Sequence, residues 1–234
     1  MSRVVTDASN VQVIYEDNHL LIINKRIGDI VQGDKTNDPP LSEIIKLYLK
    51  KKYDKPGAVF LGVIHRLDRP TSGVVIFSKT SKALARMNQV FLEKKIEKTY
   101  WTLVKNNPPK QKDTLTHWLK KNQKTNTTKV YPKEVTGSKK AILHYKVVFK
   151  LQNYTLLEIK LETGRSHQIR SQLSYIGCPI KGDLKYGFNR SNPDGGIHLH
   201  AKAVKFIHPV SKTQISISAS PPKDVLWDEC LKKY

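Results

Sequence analysis

Residues 65–73 read His-Arg-Leu-Asp-Arg-Pro-Thr-Ser-Gly, which sets one acid, Asp68, between Arg66 and Arg69. Guanidinium groups within a few ångströms favour a charged carboxyl, so Asp68 is expected to stay ionised. The chain around it is strongly basic: 41 Lys plus Arg against 20 Asp plus Glu give a net charge of +21. Such a balance suits a polyanionic partner, and an acid on the contact surface would repel phosphate. Asp68 is therefore either a structural ion-pair partner or the reacting group. Glu97-Lys98-Thr99-Tyr100-Trp101 opens a strand. There Tyr100 is either sheet core or a ring on which a base stacks, worth about 1–3 kcal/mol per base. Residues 162–170, Glu-Thr-Gly-Arg-Ser-His-Gln-Ile-Arg, bring Arg165, Arg170 and several N–H groups to a helix start, a natural anion site. Binding of backbone phosphate without chemistry is the simpler reading of that segment.

Composition narrows the class. A length of 234 residues allows one large or two small domains with a buried core. A solubilising lysine coat or an anionic membrane surface would also use positive charge. No run approaches the roughly 18 apolar residues of a spanning helix, and the polar start Met-Ser-Arg-Val-Val-Thr-Asp is unlike a signal peptide. Cys178 and Cys230 are the only cysteines. Two distant thiols make neither a disulfide framework nor a zinc cluster, so a reducing cytoplasm is the expected setting.

The elements that must hold these segments follow from periodicity. Residues 11–14 and 20–24 are short apolar runs that predict a hairpin, and residues 28–40 predict a loop. Leu41, Ile44, Ile45, Tyr48 and Leu49 repeat at helical spacing, fading by residues 53–57. Residues 59–64 and 74–77 predict strands into and out of the Asp68 loop, with Pro70 to stiffen it and Gly73 to allow an unusual backbone angle. Thr80 or Ser81 can cap a helix bearing Ala83, Leu84, Met87, Val90 and Phe91 on one face. A strand follows at 99–104. Residues 106–140 are lysine-rich and read as a basic insertion, a long loop or ribbon that is mobile without a partner. Residues 141–150 and 154–161 alternate like paired strands. Ser166 is a candidate N-cap for a helix through Ile176, with Gly177 as its stop. Further strands are expected at 199–207 and 214–218, and a closing helix at 222–233.

Strands outnumber helices and the links are short, which predicts an α+β fold. The expected architecture is a mixed, mainly antiparallel sheet flanked by helices around a central catalytic cleft. The organisation expected is a tail at 1–10 and a single catalytic domain over 11–234, possible in two lobes, with no internal repeat.

Taken together, these segments resemble the RluA-type family of pseudouridine synthases, which isomerise uridine in RNA. The resemblance runs from about residue 11 to residue 207. Its most specific parts are residues 65–73 and Thr163-Gly-Arg-Ser-His-Gln-Ile-Arg170; residues 178–183 (Cys-Pro-Ile-Lys-Gly-Asp) and 198–201 (His-Leu-His-Ala) support it. The resemblance implies the pseudouridine synthase fold and places the catalytic aspartate at Asp68. It puts the active-site tyrosine at Tyr100, the arginine that pairs with the aspartate at Arg170, and an apolar side chain lining the uracil pocket at Leu199. Arg66 would reach into the gap left by the extruded nucleotide, while His65 and Thr71 would shape the loop. Two departures stand out. Arg26 follows Asn24-Lys25 where many relatives have proline, and a fold starting near residue 11 leaves no room for an N-terminal S4-type RNA-binding domain, so target selection would fall to the catalytic domain and its insertion.

The implied reaction breaks N1–C1′, turns the uracil and rejoins it through C5, with no redox step or group donor. No cofactor or metal is expected, in keeping with the lack of a dinucleotide fingerprint or phosphate loop. The base would be flipped out of its helix at a cost of a few kcal/mol. Asp68 would act covalently or as a base; attack at C1′, attack at C6 and removal of the 2′ proton all fit the residues. Two rivals come from other classes. A non-catalytic RNA-binding or ribosome-assembly factor explains the charge but gives Asp68 no role. A metal-dependent nuclease would use His198 and His200, but no clustered carboxylates accompany them. Ribosomal and transfer RNA are both plausible targets. A monomer is expected, since no exposed apolar stripe stands out.

Overall fold

A run such as Leu20-Leu-Ile-Ile or Val74-Val-Ile-Phe has no polar side, so a strand made from it must be covered on both faces. The computed structural model, which describes residues 5–33 and 37–234, bears this out. Residues 1–4 of the expected tail and 34–36 of the expected loop lie outside the described residues. The chain divides into two compact units, residues 1–97 with 201–229 and residues 98–200 with 230–234.

In the first unit, β1 (Val13–Glu16), β2 (Leu20–Lys25), β4 (Ser72–Ser78) and β10 (Leu199–Ile207, within this unit from Ala201 on) are neighbours in that order. The two-residue β3 (Gly62–Val63) pairs with β4, and β11 (Gln214–Ser218) with β10. Strand alternation splits the apolar runs between two cores. Leu21, Ile23, Val75 and Phe77 pack with Leu41, Ile44, Ile45 and Leu49 of helix α1 (Leu41–Lys52). Leu20, Ile22, Val74 and Ile76 pack with Ala83 and Met87 of helix α2 (Ser81–Leu92). Each such burial contributes about 1.5–3 kcal/mol. The Thr80 side chain caps α2 by accepting from the Ala83 N–H, as its position predicts.

In the second unit the order is β5 (Ile96–Val104), β9 (Thr155–Leu161), β8 (Lys139–Lys150), β6 (Lys112–Asn122) and β7 (Thr127–Tyr131). The pairings β5–β9, β9–β8, β8–β6 and β6–β7 are all antiparallel. Helix α3 (Gln168–Tyr175) belongs to this unit, and α4 (Val225–Lys233) starts in the first and ends in the second. The fold is α+β with a mainly antiparallel sheet, as expected.

Of the two forms expected for the basic segment, residues 112–122 and 127–131 take the ribbon, with β6 paired to β8 and Leu115 and Leu119 buried. Two expectations change. Helix α3 starts at Gln168, not beside Ser166. Its cap residue is His167, whose left-handed backbone (φ 51°) turns the chain into the helix; the predicted stop holds, with Gly177 at φ +77°. Residues 6–10 are not a free tail. Arg26 donates to the Thr6 hydroxyl (3.1 Å), the Asn10 side chain (3.1 Å) and the Asn10 carbonyl (2.9 Å), while the Thr6 hydroxyl donates to Asp29 (2.7 Å). Arg26, the departure noted above, is thus an anchor for the turn at residues 7–10. Among the described residues, no helix is long and apolar enough to cross a membrane.

Candidate active site

The Asp68 loop links β3 to β4 in the first unit. Residues 59–64 were expected as a longer strand, but ladder pairing stops at Val63. The His65 ring is the reason: its Nε2 accepts the Ile76 N–H at 3.1 Å, replacing a backbone partner, and the ring stacks on Phe91. The Thr71 N–H closes a turn on the Asp68 carbonyl at 3.0 Å, across Arg69 and Pro70. Beneath the turn lies Lys25, only 1% exposed. Its ammonium donates to the carbonyls of Thr71 (2.7 Å), Arg26 (2.9 Å) and Arg69 (3.2 Å). The Gly28 N–H reaches the same Arg69 carbonyl at 2.8 Å. A buried ammonium requires such a set of acceptors, so here one side chain fixes the backbone on both sides of Pro70.

Gly73 starts β4 at φ +115°, and a Cβ there would lie 2.3 Å from the Ala201 carbonyl oxygen, so only glycine fits. Asp68 itself is half-buried and Arg66 is exposed. Arg69 forms an ion pair with Asp38, a partner that spacing along the chain did not suggest.

The second unit holds the other predicted residues. Tyr100 is 8% exposed on β5, opposite Ile159. Its neighbour Trp101 points to the other face, where its ring meets that of Tyr234 at 4.5 Å. Lys98 shares Tyr100's face by strand alternation. Burial lowers the pKa of Lys98, and its ammonium approaches Gly164 in the loop before α3. Leu199 is 4% exposed. The residue before it is fixed twice over: the His198 ring bonds Asn192 (3.0 Å), and its carbonyl accepts from the Thr102 hydroxyl (2.8 Å) and the Leu103 N–H (3.0 Å).

The segment expected as an anion site uses several of its donors internally. The Gln168 side-chain oxygen accepts the Arg165 N–H (2.9 Å) and the Thr163 hydroxyl (2.8 Å), tightening the loop. Arg165 is exposed and donates through Nε to the Lys140 carbonyl (3.0 Å). Arg170 is buried and makes a two-point pair with Asp183, Nε to Oδ2 at 2.7 Å and Nη2 to Oδ1 at 2.9 Å. The guanidinium lies 5.0 Å from the Tyr186 ring centroid. The Tyr186 hydroxyl in turn accepts the Thr128 N–H (2.8 Å) and sits 2.8 Å from His167 Nδ1. Burial raises the Tyr186 pKa.

The predicted residues therefore fall in two groups: Asp68 and Arg66 in the first unit, Tyr100, Arg165, Arg170 and Leu199 in the second. Sequence reading missed Lys25, Asp183 and Tyr186. The first two had signals, a lysine ending an apolar strand and an acid closing the 178–183 motif; Tyr186 had none.

The chain matches the sequence family described as RNA pseudouridylate synthase over residues 19–175. It is similar to the ribosomal large subunit pseudouridine synthase D of Zymomonas mobilis, with 31% identity over 92% of this chain and 70% of that protein. It is also similar to synthase C of Vibrio cholerae, with 32% identity over 94% of this chain and 68% of that protein. Synthase C of Buchnera aphidicola from Acyrthosiphon pisum shows 35% identity over 92% and 68%. Among solved structures, human RNA pseudouridylate synthase domain containing 4 shares the fold at a TM-score of 0.77 and 20% identity, covering 95% of this chain and 92% of that one.

Proposed function

Because the chain belongs to the RluA-type family of RNA pseudouridine synthases, enzymes that turn uridine into pseudouridine within RNA, we propose that Asp68 is the group that reacts at the target nucleotide. The observation that carries this reading is the braced backbone around that carboxylate: one buried ammonium donates to three carbonyls, those of Arg26, Arg69 and Thr71. A nucleophile or base held in place avoids the entropy of finding its target. The isomerisation is balanced within the substrate. The N1–C1′ bond breaks, C5–C1′ forms, the C5 proton departs and N1 gains one.

Asp68 assists the departure of the uracil from C1′, by covalent attack or as a base. Arg170 keeps that carboxylate charged and aimed, Tyr100 stacks on the uracil, and Leu199 lines its pocket. Arg66 enters the gap left by the flipped nucleotide, and Arg165, exposed beside α3, meets backbone phosphate. Asp68 and Arg66 belong to one unit and the other four to the second, so their assignment to one uridine rests on the motif matches. The names of the curated relatives favour ribosomal RNA of the large subunit as target, with transfer RNA the second choice. Both cysteines are buried, in keeping with work in a reducing cytoplasm, and the enzyme acts there as a monomer with residues 11–234 as one catalytic domain.

The deciding experiment is Asp68→Asn, a swap that keeps shape and removes the charge. Pseudouridine formation in RNA from cells lacking the enzyme should disappear while RNA binding persists within about threefold, under 1 kcal/mol. Near-normal rates in that variant would overturn the assignment.

A further inference from the structure

Arg170 is a buried cation whose orientation has to be set by something, because a guanidinium has three edges and a long rotatable stem. Two side chains constrain it in its own unit. Asp183, 1% exposed, takes the Nε edge through two parallel hydrogen bonds of 2.7 and 2.9 Å. That geometry fixes both the position of the group and the rotation of its plane. Tyr186 supplies a flat wall 5.0 Å from the guanidinium carbon, where ring and cation attract.

The wall is itself immobilised. The Tyr186 hydroxyl accepts the Thr128 N–H of β7 at 2.8 Å. The same hydroxyl shares a second hydrogen bond with His167 Nδ1 at 2.8 Å, its direction set by the histidine tautomer. His167 sits in a left-handed conformation at the start of α3, and the Thr128 hydroxyl donates to the Ser166 carbonyl at 3.0 Å. Two sides of the ring are thus tied to different parts of the backbone. The helix carrying Arg170, the 3₁₀ turn Leu184–Tyr186 and β7 are joined by these bonds.

We propose that Asp183 and Tyr186 are positioning residues that set Arg170 for the isomerisation, Asp183 by fixing its plane and Tyr186 by closing off the space into which it could swing. This rests on the reading above that Arg170 acts on the reacting carboxylate. The pairing with Asp183 also neutralises Arg170 within its own unit. What Arg170 offers beyond it is directional N–H donation more than net positive charge.

The test measures tritium released from C5 when total RNA, labelled with [5-³H]uridine in cells lacking the enzyme, is treated with each variant. Asp183→Asn keeps an acceptor but loses the two-point grip, and turnover should drop about 100-fold, the cost of a misplacement near 1 Å. The RNA concentration for half-saturation should stay within about threefold. Tyr186→Phe keeps the wall but frees it, and Tyr186→Leu removes it. Turnover should fall in that order, by about 10-fold and about 100-fold. Urea midpoints are recorded for every variant. A structural role alone would lower the midpoint and leave turnover of the folded enzyme unchanged, and that result overturns the proposal. If Asp183→Asn does not fold, Tyr186→Phe decides, and wild-type turnover there refutes the role. Arg170→Lys separates the two layers. Normal turnover in that variant removes Arg170 from the chemistry and the functional reading with it; impaired turnover alongside a fully active Asp183→Asn removes only the present inference.

Discussion

Replacing Lys25 with methionine tests whether the Asp68 loop is held from below. The side chain keeps its length and apolar stem, so the change isolates the ammonium. Of its three carbonyl partners, that of Arg69 retains the Gly28 N–H at 2.8 Å. The carbonyls of Arg26 and Thr71 lose the ammonium altogether. Buried acceptors left without a donor cost about 1–3 kcal/mol each, hence about 2–6 kcal/mol for the pair. Relief from burying a charge offsets part of this, which brings the net loss to about 2–4 kcal/mol. Urea unfolding followed by tryptophan fluorescence measures it. Hydrogen exchange at the Thr71 amide, which closes the turn on Asp68, should accelerate more than exchange in α1. Turnover should fall with little change in RNA affinity, because the loop carries Asp68, the group proposed to react. A loss below about 1 kcal/mol, with exchange and turnover unaltered, would refute the reasoning that Lys25 braces this loop.

Other changes should report on neighbouring features. Gly73→Ala puts a methyl group 2.3 Å from the Ala201 carbonyl oxygen at φ +115°, so soluble yield and thermal midpoint should both drop sharply. Tyr100→Ala should weaken capture of the flipped base by about 1–3 kcal/mol, seen as a loss in kcat/KM, whereas Tyr100→Phe should retain most of it. Acid should loosen the first unit through Glu16. Burial alone would raise its carboxyl, but hydrogen bonds from Lys52, Lys79 and Tyr53 outweigh that and hold the pKa at about 2 against an ordinary 4.5. A depressed carboxyl stabilises the fold above its unfolded pKa and loses that contribution as pH falls through the folded one. Stability measured by urea midpoint should therefore decline between pH 4.5 and 2, and Glu16→Gln should flatten that part of the curve.

The legible parts of the protein were those written in local pattern. Alternation and helical spacing placed α1, α2, β10 and β11, because each period brings one set of side chains to a core. The 65–73 and 163–170 segments disclosed the family, since chemistry demands particular residue types at fixed spacing. Local signals failed where another part of the chain supplied the answer. Residues 112–131 left loop and ribbon both open because polar side chains dominate; burial of Leu115 and Leu119 seats β6 beside β8 and decides for the ribbon. Ser166 looked like a cap, but the turn was won by His167, whose ring is held by Tyr186.

By itself, then, the sequence determined the strand-rich α+β class, the order of the elements and the motifs of a pseudouridine synthase at residues 65–73 and 163–170. Tertiary structure alone decided how the charges are satisfied: the buried Lys25 on carbonyls up to 46 residues away, the buried Arg170 on Asp183, and at the surface Arg69 on Asp38. The physical reason is range. Periodicity and turn chemistry act over a few residues, whereas a charge out of water needs partners in space, and the chain can draw them from any distance along its length.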